Sequence, residues 1–236
     1  MSFPQPLPVR AVLFDLDGTL ADTAADLAAA VNRIRADREL PPLAVPLLRP
    51  HASDGTRGML DAGLGVRRGD PEFDALKDAF LENYQSALCE HTRLFPDAER
   101  VLDEIERRGL RWGIVTNKAA RFTLPLLEQL DLVRRAATIV CGDTTAQPKP
   151  HPAPLLHAAA ALQLDASLCV YVGDAERDVT AARAAAMKAI VASYGYIHTD
   201  ARPESWAPDG FIASLPALLD WLPPGRCQAG HAPALR

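Results

Sequence analysis

Five short apolar runs recur along the 236 residues: AVLF at 11–14, WGIVT at 112–116, TIVC at 138–141, LCVYVG at 168–173 and AIVA at 189–192. Each is too short for a helix and rich in Val or Ile, the pattern of strands buried on both faces. The segments between them read as helices. VLDEIERRG puts Val101, Leu102 and Ile105 on one face and stops at Gly109, a cap signal. RFTLPLLEQL carries Pro125 inside it, which predicts a kink. HPAPLLHAAAALQL begins with prolines, tolerated in a first turn where an N–H lacks a partner anyway, and ERDVTAARAAAM supplies another helix. Strand alternating with helix predicts an α/β fold in which helices flank a parallel sheet.

The first and second runs are too far apart for one crossover. Residues 21–92 are mostly helical by period, with Leu27, Val31 and Ile34 on one helix and Phe73, Leu76, Phe80 and Tyr84 on a later one. They read as a helical subdomain inserted after the first strand, leaving 9–20 and 93–222 as the core. Between those helices RPHASDGTRGML is Gly-rich and polar and reads as a loop, and 223–236 reads as a disordered tail. With 25 Lys and Arg against 30 Asp and Glu, the net charge is -5, so no basic field invites nucleic acid or an anionic membrane. Cys89, Cys141, Cys169 and Cys227 form no C-x-x-C pair. That argues against a disulfide framework or zinc site, with Cys141 and Cys169 as core thiols. No window has the apolar length of a signal peptide or membrane span, so the expected location is the cytoplasm.

Ligands of an open parallel sheet bind at the carboxyl ends of its strands. The first run delivers Asp15 and Asp17 there, the second Thr116 and Asn117, and the fourth Gly173 and Asp174 with Asp178 four residues on; Lys149 follows the third. Carboxylates crowded at one edge repel one another unless something positive sits among them, and hard oxygen ligands suit Mg2+. A Lys and a Thr beside that ion would complete a phosphate site, and Gly18 allows the tight turn after the pair.

DLDGTL, Thr116-Asn117-Lys118, Lys149-Pro150 and Gly173-Asp174 with Asp178 resemble, in order, the four motifs of the haloacid dehalogenase-like phosphatases. The resemblance covers essentially the whole core, and the helical insertion resembles that family's small cap. It implies a Rossmann-like core and a phosphoaspartate mechanism on a small-molecule phosphomonoester. Asp15 would be the nucleophile and Asp17 the general acid and base. Mg2+ would be held by Asp15, the Asp17 carbonyl and Asp174, with Asp178 holding a metal-bound water or orienting Lys149. Thr116 and Lys149 would face the phosphoryl oxygens, with Asn117 in support. Ala175 departs from the usual serine of the fourth motif, losing a hydroxyl but no carboxylate. LFPDAERVLDEIE, WGIVTNKAARF and YGYIHTDARPESWAPD resemble N-acetylmuramic acid 6-phosphate phosphatases; the overall pattern also resembles phosphoglycolate phosphatases.

Other readings stand beside these. D-x-D at a strand end is also an ordinary turn, although Thr116, Lys149 and Asp174 in register weigh against that. Asp22 is expected to cap the first inserted helix. Lys118 reads as a solvated loop residue, and His51, His91, His157 and His231 as surface groups, with His198 undecided. SDGTRG is either a plain linker or a substrate-facing loop whose Arg57 would meet a carboxylate. A phosphoacceptor signalling domain would be shorter and uncapped, a dehalogenase would need neither Asp17 nor Mg2+, and a sugar phosphomutase shares nearly all the motifs.

Overall fold

The computed structural model describes residues 5–225. Strand β1 (Ala11–Phe14) leads through a two-residue strand β2 (Ala21–Asp22) into helices α1 (Ala24–Asp37), α2 (Val45–Leu48), α3 (Gly55–Leu64) and α4 (Phe73–Ser86). The chain returns by β3 (Arg93–Leu94), which pairs antiparallel with β2, so entry to and exit from the helical segment lie side by side. There follow α5 (Ala98–Arg107), β4 (Arg111–Val115), α6 (Ala120–Gln129), β5 (Ile139–Val140), α7 (Ala153–Ala161), β6 (Cys169–Gly173), α8 (Glu176–Ala184), β7 (Lys188–Ala192) and β8 (Gly210–Ile212).

The main sheet runs β5-β4-β1-β6-β7-β8 with every pairing parallel, so the α/β expectation holds. From β1 the chain winds outward through β4 and β5, then crosses back to build β6, β7 and β8 on the other side. The winding therefore reverses beside β1, which opens a crevice at its carboxyl end. Both faces of the sheet are covered. Val12 and Phe14 point into the layer holding Leu102 and Ile105, while Ala11 and Leu13 point the other way against Leu155 and Val179. This is the alternation a pleated strand imposes. Burying a side chain such as Phe14 completely contributes about 1.5–3 kcal/mol. Cys141 and Cys169 are buried free thiols, as expected.

The described elements depart from the sequence reading at several points. RPHASDGTRGML is not a loop: Arg49–Asp54 is a 3-10 turn that runs directly into α3. Its apolar residues outweigh its glycines, because Ala52, Met59 and Leu60 are all buried, and tertiary burial overrides weak helix propensity. Helix α6 continues through Pro125. The short strands β2, β3 and β8 had no apolar run to announce them. Leu27, Val31, Ile34, Leu76, Phe80 and Tyr84 are buried where α1 packs on α4, whereas Phe73 is half-buried. Of the expected tail, Pro223 accepts a bond from Arg108 Nη1, and 226–236, with Cys227 and His231, lie outside the described residues. Among the described residues no helix is long and apolar enough to cross a membrane.

Candidate active site

Asp15 follows β1, and its own N–H bonds to the Val172 carbonyl, which holds it at the sheet's central edge. Asp174 ends the neighbouring strand β6, and Asp178 stands on the first turn of α8. All three are buried, and one carboxylate oxygen from each lies within 4.8 Å of the others. Lys149 Nζ sits between two of them, 3.0 Å from Asp15 Oδ1 and 2.8 Å from Asp178 Oδ1, and also donates to the Val115 carbonyl and to Tyr171 Oη. Asp178 Oδ2 accepts from the Ala175 N–H at 3.0 Å. The carboxylate at this helix start thus bonds the backbone itself, with Ala175 where a serine is usual.

Lys149 and Arg177 together bring two positive charges to three buried acids, which leaves the cluster one short. Burial pushes Asp174 up to about 7, with Asp15 and Asp178 adding to the rise. Burial also raises Asp15, against the pull of Lys149 and with the push of Asp178. Asp174 Oδ2 accepts from Ser53 Oγ (2.8 Å) and the Tyr196 N–H (2.7 Å), but its Oδ1 is buried with no partner. An orphaned carboxylate oxygen inside an under-neutralised acidic cluster fits a hard divalent cation. Gly18 adopts φ +81° beside this cluster, and a Cβ there would come within 2.1 Å of Asp174 Oδ2.

Asp17 is oriented differently. Its Oδ1 accepts from Thr23 Oγ1 (2.6 Å) and from Lys118 Nζ (2.7 Å), so the two carboxylates of D-x-D occupy separate environments. Lys118 is not solvated. Burial lowers its affinity for the proton, but Asp17 and Tyr84 outweigh burial and hold it above its ordinary value. Thr116, just past β4, is buried, and its Oγ1 accepts the Lys118 N–H. Asn117 grips the Lys149 backbone in both directions, Nδ2 to the carbonyl and Oδ1 from the N–H. Thr116, Asn117 and Lys149 therefore converge on the same edge as the acids.

The helical segment forms the far wall. A cavity of 660 Å³ lies between it and the sheet edge, with Asp15, Asp17, Thr116 and Lys149 on one side. Opposite stand Leu27, Phe80 and Tyr84 of the helical segment, with Arg57 and with Arg121 and Phe122 of α6 also lining it. Three contributors have no role in the sequence reading, although two lie in segments it singles out: Ser53 of SDGTRG, which reaches Asp174; Arg177, whose Nη2 donates to the Ser53 carbonyl; and Tyr196 of YGYIH. Asp22 does not cap α1. Thr23 is the residue at that position, and Asp22 takes bonds from Arg49 and Tyr196 because both reach across to it. His198 lies 3.2 Å from Asp54 Oδ2, with half-buried His51 edge-on to its ring.

The family described as haloacid dehalogenase-like hydrolase matches residues 12–192. The chain belongs to that family. It is similar to the phosphoglycolate phosphatase of Xanthomonas campestris pv. campestris (strain 8004), 43% identical over 93% of this chain and 97% of that protein. It is also similar to the N-acetylmuramic acid 6-phosphate phosphatase of Pseudomonas aeruginosa, 37% identical over the same shares of each chain. A crystal structure described as a predicted phosphoglycolate phosphatase from Haemophilus somnus 129pt superposes with a TM-score of 0.78 at 25% identity, covering 90% of this chain and 97% of that one. The chain is thus an enzyme, a phosphatase of the haloacid dehalogenase-like family.

Proposed function

We propose that this phosphatase is a Mg2+-dependent phosphomonoesterase working through an aspartyl phosphate on Asp15, with N-acetylmuramic acid 6-phosphate of peptidoglycan recycling as its substrate. The division of labour between the two carboxylates carries the reading. Asp15, beside Lys149 and the acidic cluster, attacks phosphorus as the bond to the leaving oxygen breaks. Asp17, held separately by Thr23 and Lys118, gives that oxygen its proton and then takes one from the water that attacks the acyl phosphate. Thr116 and Lys149 supply positive and hydrogen-bonding groups for the phosphoryl oxygens. Mg2+ held by Asp15, Asp174 and the Asp17 carbonyl, with Asp178 behind, would offset repulsion between nucleophile and phosphate. Ca2+ should inhibit, since its looser shell lets Asp15 bind bidentately.

Residues 21–92 act as a cap on a core of 9–20 and 93–222, and water exclusion beneath it favours a small metabolite over a phosphoprotein. Substrate choice rests on the cavity. Its 660 Å³ falls within the roughly 300–1,000 Å³ of sites for drug-sized ligands. The apolar side formed by Leu27, Phe80, Tyr84 and Phe122 suits a sugar ring with acetamido and lactyl groups, and Arg57 is available for the lactyl carboxylate. 2-Phosphoglycolate, with two carbons, would leave most of that space to water, yet relatives named for either activity make it the second reading. A phosphate-release panel of both esters and β-glucose 1-phosphate is the test. Preference for phosphoglycolate by about tenfold in kcat/KM, roughly 1.4 kcal/mol of discrimination, would overturn the cell-wall assignment. Isomerisation of the glucose phosphate would indicate a mutase.

A further inference from the structure

The triplet Tyr194-Gly195-Tyr196 is given no role in the chemistry above, yet it lies against Asp174 and against the turn that follows D-x-D. It follows β7, and a Cβ on Gly195 would come within 2.4 Å of Asp174 Cβ and 2.5 Å of the Gly18 carbonyl, so only glycine lets the loop run this close to the acids. Tyr194 Oη donates to the Thr19 carbonyl at 2.8 Å. Tyr196 is 2% exposed and is bonded at both ends. Its N–H donates to Asp174 Oδ2; its hydroxyl donates to Asp22 Oδ1 (2.8 Å) and accepts the N–H groups of Thr23 (2.6 Å) and Ala24 (3.0 Å).

These last two bonds explain an oddity of α1. Thr23 occupies the N-cap position but makes no side-chain cap, because its hydroxyl is turned to Asp17. The backbone donors that begin the helix are satisfied by the phenol of Tyr196, 172 and 173 residues away in sequence. A continuous path therefore runs from Asp174 through Tyr196 to Thr23 and on to Asp17, joining the acidic cluster to the second carboxylate of D-x-D. Asp22, the phenol's acceptor, is itself held by both of its oxygens on Arg49, whose guanidinium lies 4.8 Å from the Tyr196 ring centre.

We infer that Tyr196 is a positioning residue for Asp17: by capping α1 from outside, it frees Thr23 to hold the carboxylate that handles the leaving group's proton. This rests on the phosphatase reading above and assigns a role that reading does not contain.

The test uses the full-length enzyme with Mg2+ and two substrates: p-nitrophenyl phosphate, whose leaving group needs little protonation, and whichever of N-acetylmuramic acid 6-phosphate and 2-phosphoglycolate the wild type hydrolyses faster. Tyr196→Phe keeps the N–H to Asp174 and removes only the hydroxyl. Its kcat on the alkyl phosphate should fall about tenfold more than on the aryl phosphate, with the Mg2+ midpoint unchanged. Thr23→Val should reproduce that selectivity, and the double variant should be no slower than the worse single one, since both act through one contact. Equal losses on both substrates, a Mg2+ midpoint that moves with kcat, or additive losses would each overturn the inference. Asp15→Asn separates the two levels. If it stays active, the aspartyl-phosphate reading falls; if it is dead while Tyr196→Phe slows both substrates alike, only the role of Tyr196 falls.

Discussion

Lowering the pH from about 8 to about 6 should weaken Mg2+ binding about tenfold, and the reason lies in Asp174. Its carboxyl is raised from 3.8 to about 7, chiefly by burial and then by Asp15 and Asp178. A cation needs the carboxylate, so proton and metal compete for the same oxygens. With the proton bound half-way at pH 7, the competition factor is about 1.1 at pH 8 and about 11 at pH 6, a ratio near ten or about 1.4 kcal/mol. The same shift sets the stability of the metal-free chain. The folded state binds the proton more tightly than the unfolded one, so stability falls as pH rises from about 4 to about 7 and stays lower above it, until a cation replaces the proton. Titration calorimetry in buffers of different ionisation enthalpy reads the Mg2+ dissociation constant and the protons released on binding. About 0.9 proton should be released per Mg2+ at pH 6 and about 0.1 at pH 8. A dissociation constant that moves less than about threefold across this range would refute the argument that Asp174 is an under-neutralised metal ligand.

Asp15→Asn should abolish turnover because an amide cannot accept the phosphoryl group, and residual activity above roughly 1% in steady-state assays would remove Asp15 from the nucleophile's role. Asp17→Asn should still accept phosphate from p-nitrophenyl phosphate but release it slowly, so quenched samples should carry phosphate on Asp15 by mass spectrometry; an unmodified protein would count against Asp17 as the hydrolytic base. Asp26 is a prediction about stability rather than chemistry. Buried on α1, it accepts from the His91 and Thr92 N–H groups (2.9 Å each) and from Thr92 Oγ1 (2.6 Å), tying that helix to the chain's return path. Asp26→Ala leaves three donors without their acceptor and should cost about 3 kcal/mol in denaturant unfolding; a loss under about 1 kcal/mol would mean that water replaces the carboxylate.

Much of this molecule is readable along the chain because the relevant forces are local or periodic. The apolar runs at 11–14, 168–173 and 189–192 became β1, β6 and β7 with little change, since a strand buried on both faces must be continuously apolar. The residues at the ends of β1, β4 and β6, Asp15, Thr116 and Asp174, come together because parallel strands deliver their carboxyl ends to one edge. Tertiary structure alone decided the rest. SDGTRG reads as a loop by composition, yet spans the end of a 3-10 turn and the start of α3, because Met59 and Leu60 find a buried surface there. Lys118 reads as an exposed charge, yet is enclosed between Asp17 and Tyr84. Asp22 and Thr23 carry an ordinary capping signal whose outcome depends on a phenol arriving from residue 196. Local sequence states what each group can bond to. Which of those bonds forms depends on partners that only the folded chain brings within about 3 Å.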